Sequence, residues 1–160
     1  RRRATEPSAT AVADDGAGPL RSIVGRIEER HGDTPLRFGG WHGDLTPWNL
    51  SRRGGGVHIW DWERASACVP FGFDAAHFEF QRTARYSSVD VAGAMASSRG
   101  RLGPRLRALD LDPGSDDALW LLYGLEILLR YEEARAEGAL ARPSTIHAGI
   151  LALFAGSLAE

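Results

Sequence analysis

From Leu119 to Leu129 the chain reads Leu-Trp-Leu-Leu-Tyr-Gly-Leu-Glu-Ile-Leu-Leu, with Glu126 as its one charged residue. A helix that is apolar nearly all round must be enclosed by other elements. Each face left in water forfeits about 25 cal/mol per Å² of apolar surface. The run is also far too short to cross a bilayer, which takes about twenty such residues. It therefore predicts a central helix buried on most sides, around which the rest of the chain has to pack. Ser115 stands where an N-cap would, Asp116 and Asp117 occupy the first turn where the helix dipole favours negative charge, and Gly138 is a suitable stop.

The surrounding sequence offers helices for that shell. Leu20, Ile23, Val24 and Ile27 recur at helical spacing between Pro19 and Gly32. Further helices are predicted over Phe71–Arg85, Val89–Leu109 and Ser144–Leu158, the second carrying Gly93, Gly100 and Gly103, which lower its intrinsic helicity. Only one region breaks the period. A short strand signal at Leu36-Arg37-Phe38 runs through Gly39-Gly40 into a proline-containing loop, and Gly54-Gly55-Gly56 separates Leu50 from the alternating Val57-His58-Ile59-Trp60. The expected fold class is mainly α with a small β-hairpin over Leu50 to Trp60. Residues 1–18, rich in Ala, Thr, Ser, Asp and Gly, have little to bury and are expected to form a disordered linker or a cut end. A first residue that is Arg rather than Met suggests a piece of something longer.

Charge narrows the function. Nineteen basic residues against twenty-one acidic ones leave −2, so no strong field draws the protein to nucleic acid or to an anionic membrane. A single cysteine, Cys68, excludes an internal disulfide and suits a reducing, cytoplasmic compartment, where it is expected to be a small packing residue. All nineteen basic residues are Arg, so chemistry that needs a lysine has to find it elsewhere.

The segment His42-Gly43-Asp44-Leu45-Thr46-Pro47-Trp48-Asn49, followed twelve residues later by Asp61-Trp62-Glu63, carries the chemistry. It places an Asp and an Asn five apart on a Pro-stiffened loop, and the hairpin returns Asp61 to the neighbourhood of Asn49. Three oxygen-bearing side chains, Asp44, Asn49 and Asp61, then converge. Such hard ligands suit Mg²⁺, and one Asp is left over to accept a proton. Singly, each has an ordinary alternative as a turn, cap or strand-end residue.

The combination resembles the catalytic core of the protein-kinase-like superfamily, in its aminoglycoside phosphotransferase and choline kinase branch. His42 to Asn49 is similar to the catalytic loop, Ile59-Trp60-Asp61-Trp62-Glu63 to the metal-binding strand end, and Phe71-Gly72-Phe73-Asp74-Ala75-Ala76-His77-Phe78 to the segment that opens the next helix. The resemblance covers roughly Leu20 to Glu160. It implies a kinase-like large, C-terminal lobe over 19–160, with Asp44 as catalytic base, Asn49 and Asp61 holding Mg²⁺ and its nucleotide (ATP or another nucleoside triphosphate), and Asp74 bracing the loop. It implies transfer of phosphate to a hydroxyl of a small molecule: an aminoglycoside, a sugar or an amino alcohol. Glu63 stands in place of the Gly that forms the hinge of regulated protein kinases, which argues against a protein substrate.

Such an enzyme also needs a small β-rich lobe with a phosphate-covering loop and a Lys. Neither is found before Asp44, so the missing N-terminal lobe of a parent chain becomes an expected partner, and the 160 residues alone are expected to be inactive. A catalytically inactive kinase-like binding module is the alternative. A metal-dependent hydrolase built on His42, Asp44, His58 and Asp61 is a third. His42 is expected to organise the loop; His31, His58, His77 and His147 share no metal-ligand spacing and are expected to be core or surface residues. Glu126, Glu132, Glu133 and Glu137 read either as an acidic wall for a cationic acceptor or as solvated helix charge.

Overall fold

A computed structural model describes residues 17–139 and 145–158. It is mainly helical, with two small antiparallel strand pairs near its start. Helix α1 (Ala17–His31) leads into strand β1 (Phe38–Trp41), the loop that follows it, and strands β2 (Leu50–Arg53), β3 (Gly56–Ile59) and β4 (Ser66–Pro70). Helices α2 (Phe73–Tyr86), α3 (Val91–Ala108), α4 (Asp116–Ala136) and α5 (Thr145–Ser157) complete the order. Of the linker expected at 1–18, residues 1–16 lie outside the described residues, and Ala17 and Gly18 are the first turn of α1 rather than linker.

The expected hairpin is present: β2 pairs with β3 from Leu50↔Ile59 to Arg53↔Gly56, and Gly54 and Gly55 turn the corner at positive φ. A second pair was not anticipated. β4 lies antiparallel to β1, with Phe38 opposite Pro70 and Trp41 opposite Ser66, and the register shifts between Gly39 and Trp41. The strand signal at 36–38 thus lies too early. Two glycines in β1 and a terminal proline in β4 hide a pairing that only a non-local contact can reveal.

α4 takes the central place its composition demands. Leu119, Trp120, Tyr123 and Leu128 are buried against Phe73, Ala76 and Phe80 of α2, Met95, Leu102 and Leu106 of α3, Ile150 and Phe154 of α5, and Ile23 and Ile27 of α1. Leu129 is the exception and is exposed. α3 stays continuous through its three glycines because it buries Ala94, Met95, Ser98, Leu102 and Leu106, and because the Asp90 carboxylate caps it, accepting from the Gly93 N–H at 2.8 Å. Ser115 does not cap α4; its hydroxyl instead donates to the Asp112 carbonyl at 2.7 Å. Cys68 is exposed on β4, not packed inside. No helix among the described residues is long and apolar enough to cross a membrane.

One buried charge joins α2 to α3. The Glu79 side chain is 1% exposed and meets Arg82 at 2.8 Å, Arg105 at 2.8 Å and Arg101 at 3.3 Å. Thr83 and Ser98 hydroxyls both donate to its backbone carbonyl. Burial opposes ionisation of this carboxyl, but the bonds from Arg82 and Arg105 outweigh it and hold Glu79 below the usual carboxylate range. Breaking a buried pair from one side costs about 3–5 kcal/mol, and the half-exposed arginines can recover water. Glu79→Ala is therefore expected to lose about 3 kcal/mol in urea unfolding near neutral pH. A carboxyl lowered by folding stabilises above its unfolded value and stops doing so as pH falls through the folded one. The gap between wild type and the variant should accordingly be full at neutral pH and close below the ordinary Glu range. A gap unchanged in acid would contradict the assignment.

Candidate active site

The loop His42–Asn49 leaves β1 beside Trp41 and enters β2 through a short 3-10 turn, Pro47–Asn49. Its anchor is His42, buried, whose backbone N–H and both ring nitrogens have partners. The His42 N–H donates to both oxygens of Asp74, at 2.9 and 3.2 Å. The ring Nε2 lies 2.8 Å from the Trp60 carbonyl, which can only accept, so Nε2 carries the proton. Nδ1 is then the acceptor for the Asp44 N–H at 3.3 Å. The Trp62 ring packs on the imidazole at 4.5 Å between centroids. His42 therefore organises the loop, as its sequence position suggested.

Asp44 presents its carboxylate at the loop's turn, 33% exposed. The Asn49 Nδ2 donates to Asp44 Oδ2 at 3.1 Å and to the Asp44 carbonyl at 3.0 Å. The other oxygen, Oδ1, lies 3.0 Å from Nε2 of His77, a side chain 4% exposed on α2. His77 Nδ1 in turn lies 3.0 Å from the Tyr123 hydroxyl on α4. The His77 bond foremost, helped by Asn49 and the charge of Arg64, holds Asp44 below the ordinary carboxylate range although burial works against it. Burial, with Asp44 and Glu126 adding to it, pushes the Tyr123 phenol well above its usual range. Each Asp44 oxygen accepts one bond from the protein, which leaves a lone pair on each for a hydroxyl arriving from solvent.

Sequence reasoning treated His77 as an ordinary histidine and did not single out Arg130. The Arg130 guanidinium donates to the Gly43 carbonyl at 2.6 Å, pairs with Glu126 at 2.7 Å and lies over the Trp41 ring at 4.4 Å. Of the four glutamates that could form an acidic wall, Glu126 is paired with Arg130 and Glu132 with Arg135 and His147, while Glu133 and Glu137 are exposed.

The hairpin brings Asp61 close to Asn49 along the backbone. The Trp60 N–H donates to the Asn49 carbonyl at 3.3 Å, and Asp61 follows in a left-handed conformation, φ 68 and ψ 55. This is sparsely populated backbone for a non-glycine residue, held between β3 and the 3-10 turn Trp62–Arg64. Because Asn49 turns its Nδ2 to Asp44, Oδ1 is the oxygen it can offer a cation. That oxygen and the carboxylate of the exposed Asp61 are both hard donors, the type that Mg²⁺ takes alongside water and phosphate. No three His, Cys, Asp or Glu side chains gather into a metal-binding group among the described residues. The four-residue set His42, Asp44, His58 and Asp61 is thus not assembled: both His42 nitrogens are occupied and His58 is exposed.

Comparison with known proteins adds no relative: no protein-family model, no curated protein and no solved structure matches the chain.

Gly43 has φ +86, and a Cβ there would overlap the Arg64 carbonyl. Left-handed backbone alone costs a non-glycine residue about 1–2 kcal/mol. Gly43→Ala is therefore expected to lower stability by at least about 2 kcal/mol in denaturant unfolding. Unchanged stability would mean that the loop and the segment after Asp61 do not approach as described.

Proposed function

We propose that the chain is the catalytic, kinase-like large lobe of a phosphotransferase similar to the aminoglycoside phosphotransferase and choline kinase family. It would move the terminal phosphoryl group of ATP, or another nucleoside triphosphate, to a hydroxyl of a small molecule. The observation that carries this is the Asp44 carboxylate, part exposed and held from both sides by His77 and Asn49, with Asp61 joined to the same loop through the His42–Trp60 bond.

Phosphoryl transfer passes through a loose transition state, so an enzyme mostly positions the reactants and accepts one proton late. Asp44, lowered below its ordinary range, is ionised at neutral pH and can take the proton of the acceptor hydroxyl. Asn49 Oδ1 and the Asp61 carboxylate would hold Mg²⁺, which when bound offsets the negative charge of the phosphates. Asp74 contributes by fixing His42, and with it the backbone on which Asp44 sits. A phosphate-covering lobe with a Lys would be the partner of this one, since none of the nineteen basic residues is Lys.

Asp44→Asn is expected to reduce kcat by about 10²–10⁴-fold with little change in nucleotide affinity, in the polypeptide translated from the complete reading frame. A panel of aminoglycosides and amino alcohols in a coupled ATP-turnover assay measures it, and turnover within a few-fold of wild type would remove Asp44 from the role of base. Asp61→Ala is expected to abolish Mg²⁺-dependent nucleotide binding by calorimetry while circular dichroism stays helical. Unchanged affinity would put the metal elsewhere.

A further inference from the structure

We propose that His77 is a positioning residue for Asp44: an imidazole pinned by the Tyr123 hydroxyl that fixes the plane in which the Asp44 carboxylate faces its acceptor. This rests on Asp44 being the base, and it identifies what aims that base.

A carboxylate on a loop pivots about its last bond. The Asn49 amide comes from the same loop and holds Oδ2 and the Asp44 carbonyl together, which fixes a distance but leaves the pivot. The Nε2 of His77 reaches Oδ1 from a different element, so two donors on two oxygens define the carboxylate plane. His77 lies three residues after Asp74 in the first turns of α2, and residues at that spacing share a helix face. One face of α2 thereby meets the loop twice, with Asp74 at the His42 N–H and His77 at the Asp44 side chain.

The ring cannot turn freely. It is buried, and an ionised Asp44 only accepts, so Nε2 must donate. Nδ1 then accepts from the phenol of Tyr123, which its burial keeps protonated. The same pairing defines one tautomer. The ring thereby spans from α4 to the loop.

The decisive measurement is the imidazole nitrogen spectrum of the ¹⁵N-labelled chain, with Mg²⁺-dependent ATP turnover against kanamycin and choline, in the polypeptide translated from the complete reading frame, as the second readout. In wild type, His77 is expected as the Nε2–H tautomer with a hydrogen-bonded, slowly exchanging proton. Asp44→Ala should move that proton upfield, and Tyr123→Phe, which removes a single hydroxyl, should shift Nδ1 of the same ring. A ring unmoved by both variants overturns the proposal, whether or not any acceptor is turned over. In turnover, His77→Leu is expected to lower kcat by about 10–10²-fold, the scale of a misplaced group, with the KM for ATP within a few-fold. His77→Gln, whose amide can donate from the place of Nε2, should restore most of it. Loss with Asp44→Asn but none with His77→Leu overturns the positioning role alone. No loss with Asp44→Asn overturns the base itself. Should His77→Leu fail to fold, Tyr123→Phe carries the kinetic arm, with a smaller fall in kcat expected and an unchanged kcat counting against the proposal.

Discussion

The buried imidazole of His42 is the joint on which the site depends. Its backbone N–H reaches Asp74 on α2, its Nε2–H reaches the Trp60 carbonyl at the end of β3, and its Nδ1 receives the Asp44 N–H of its own loop. One residue, through its backbone N–H and both ring nitrogens, thus fixes its own loop and ties it to segments 18 and 32 residues away. A buried polar group left without its partner costs about 1–3 kcal/mol, so each segment has a strong reason to stay where this ring holds it. The arrangement also removes His42 from chemistry, because both nitrogens are spent on holding the loop.

The use of arginine alone fits the work done around this joint. Arg130 serves the loop with three different contacts, a bond to the Gly43 carbonyl, an ion pair with Glu126 and a face laid over Trp41. A planar guanidinium can do all three at once, while a compact ammonium on a flexible stem cannot stack and fork together. Around Glu79 the same geometry lets three guanidinium groups reach one carboxylate from two helices. In both places arginine ties helix to helix or helix to loop.

Much of this was legible in the sequence. The helices of the shell, the hairpin and the central α4 follow from period, glycine and uninterrupted apolarity, all local signals. Asp44 and Asn49 stood out because loop residues five apart can meet without knowledge of the rest of the fold, and they do. His77 and Arg130 left no such trace, since their partners are 33 and 87 residues away. For His77 one clue was present, its spacing of three from Asp74 on a predicted helix, but with no metal-ligand spacing to another histidine it read as an ordinary core or surface residue. The β1–β4 pair was hidden for a similar reason: two glycines and a proline weaken both strand patterns, and only their pairing makes them strands.

The hairpin has a consequence of its own. All of β3 and all of β2 but Leu50 are exposed, so little burial holds this ribbon closed beyond its own ladder. Such a ribbon opens locally at far smaller free energy than the helical core, and its amides should exchange with solvent long before those of α4. Opening would start at Gly54-Gly55 and run like a zip toward Asn49 and Trp60. There it meets the Trp60 carbonyl gripped by His42 and stops. Asp61, one residue past that clasp, is thus sheltered from the breathing of the strands that lead to it.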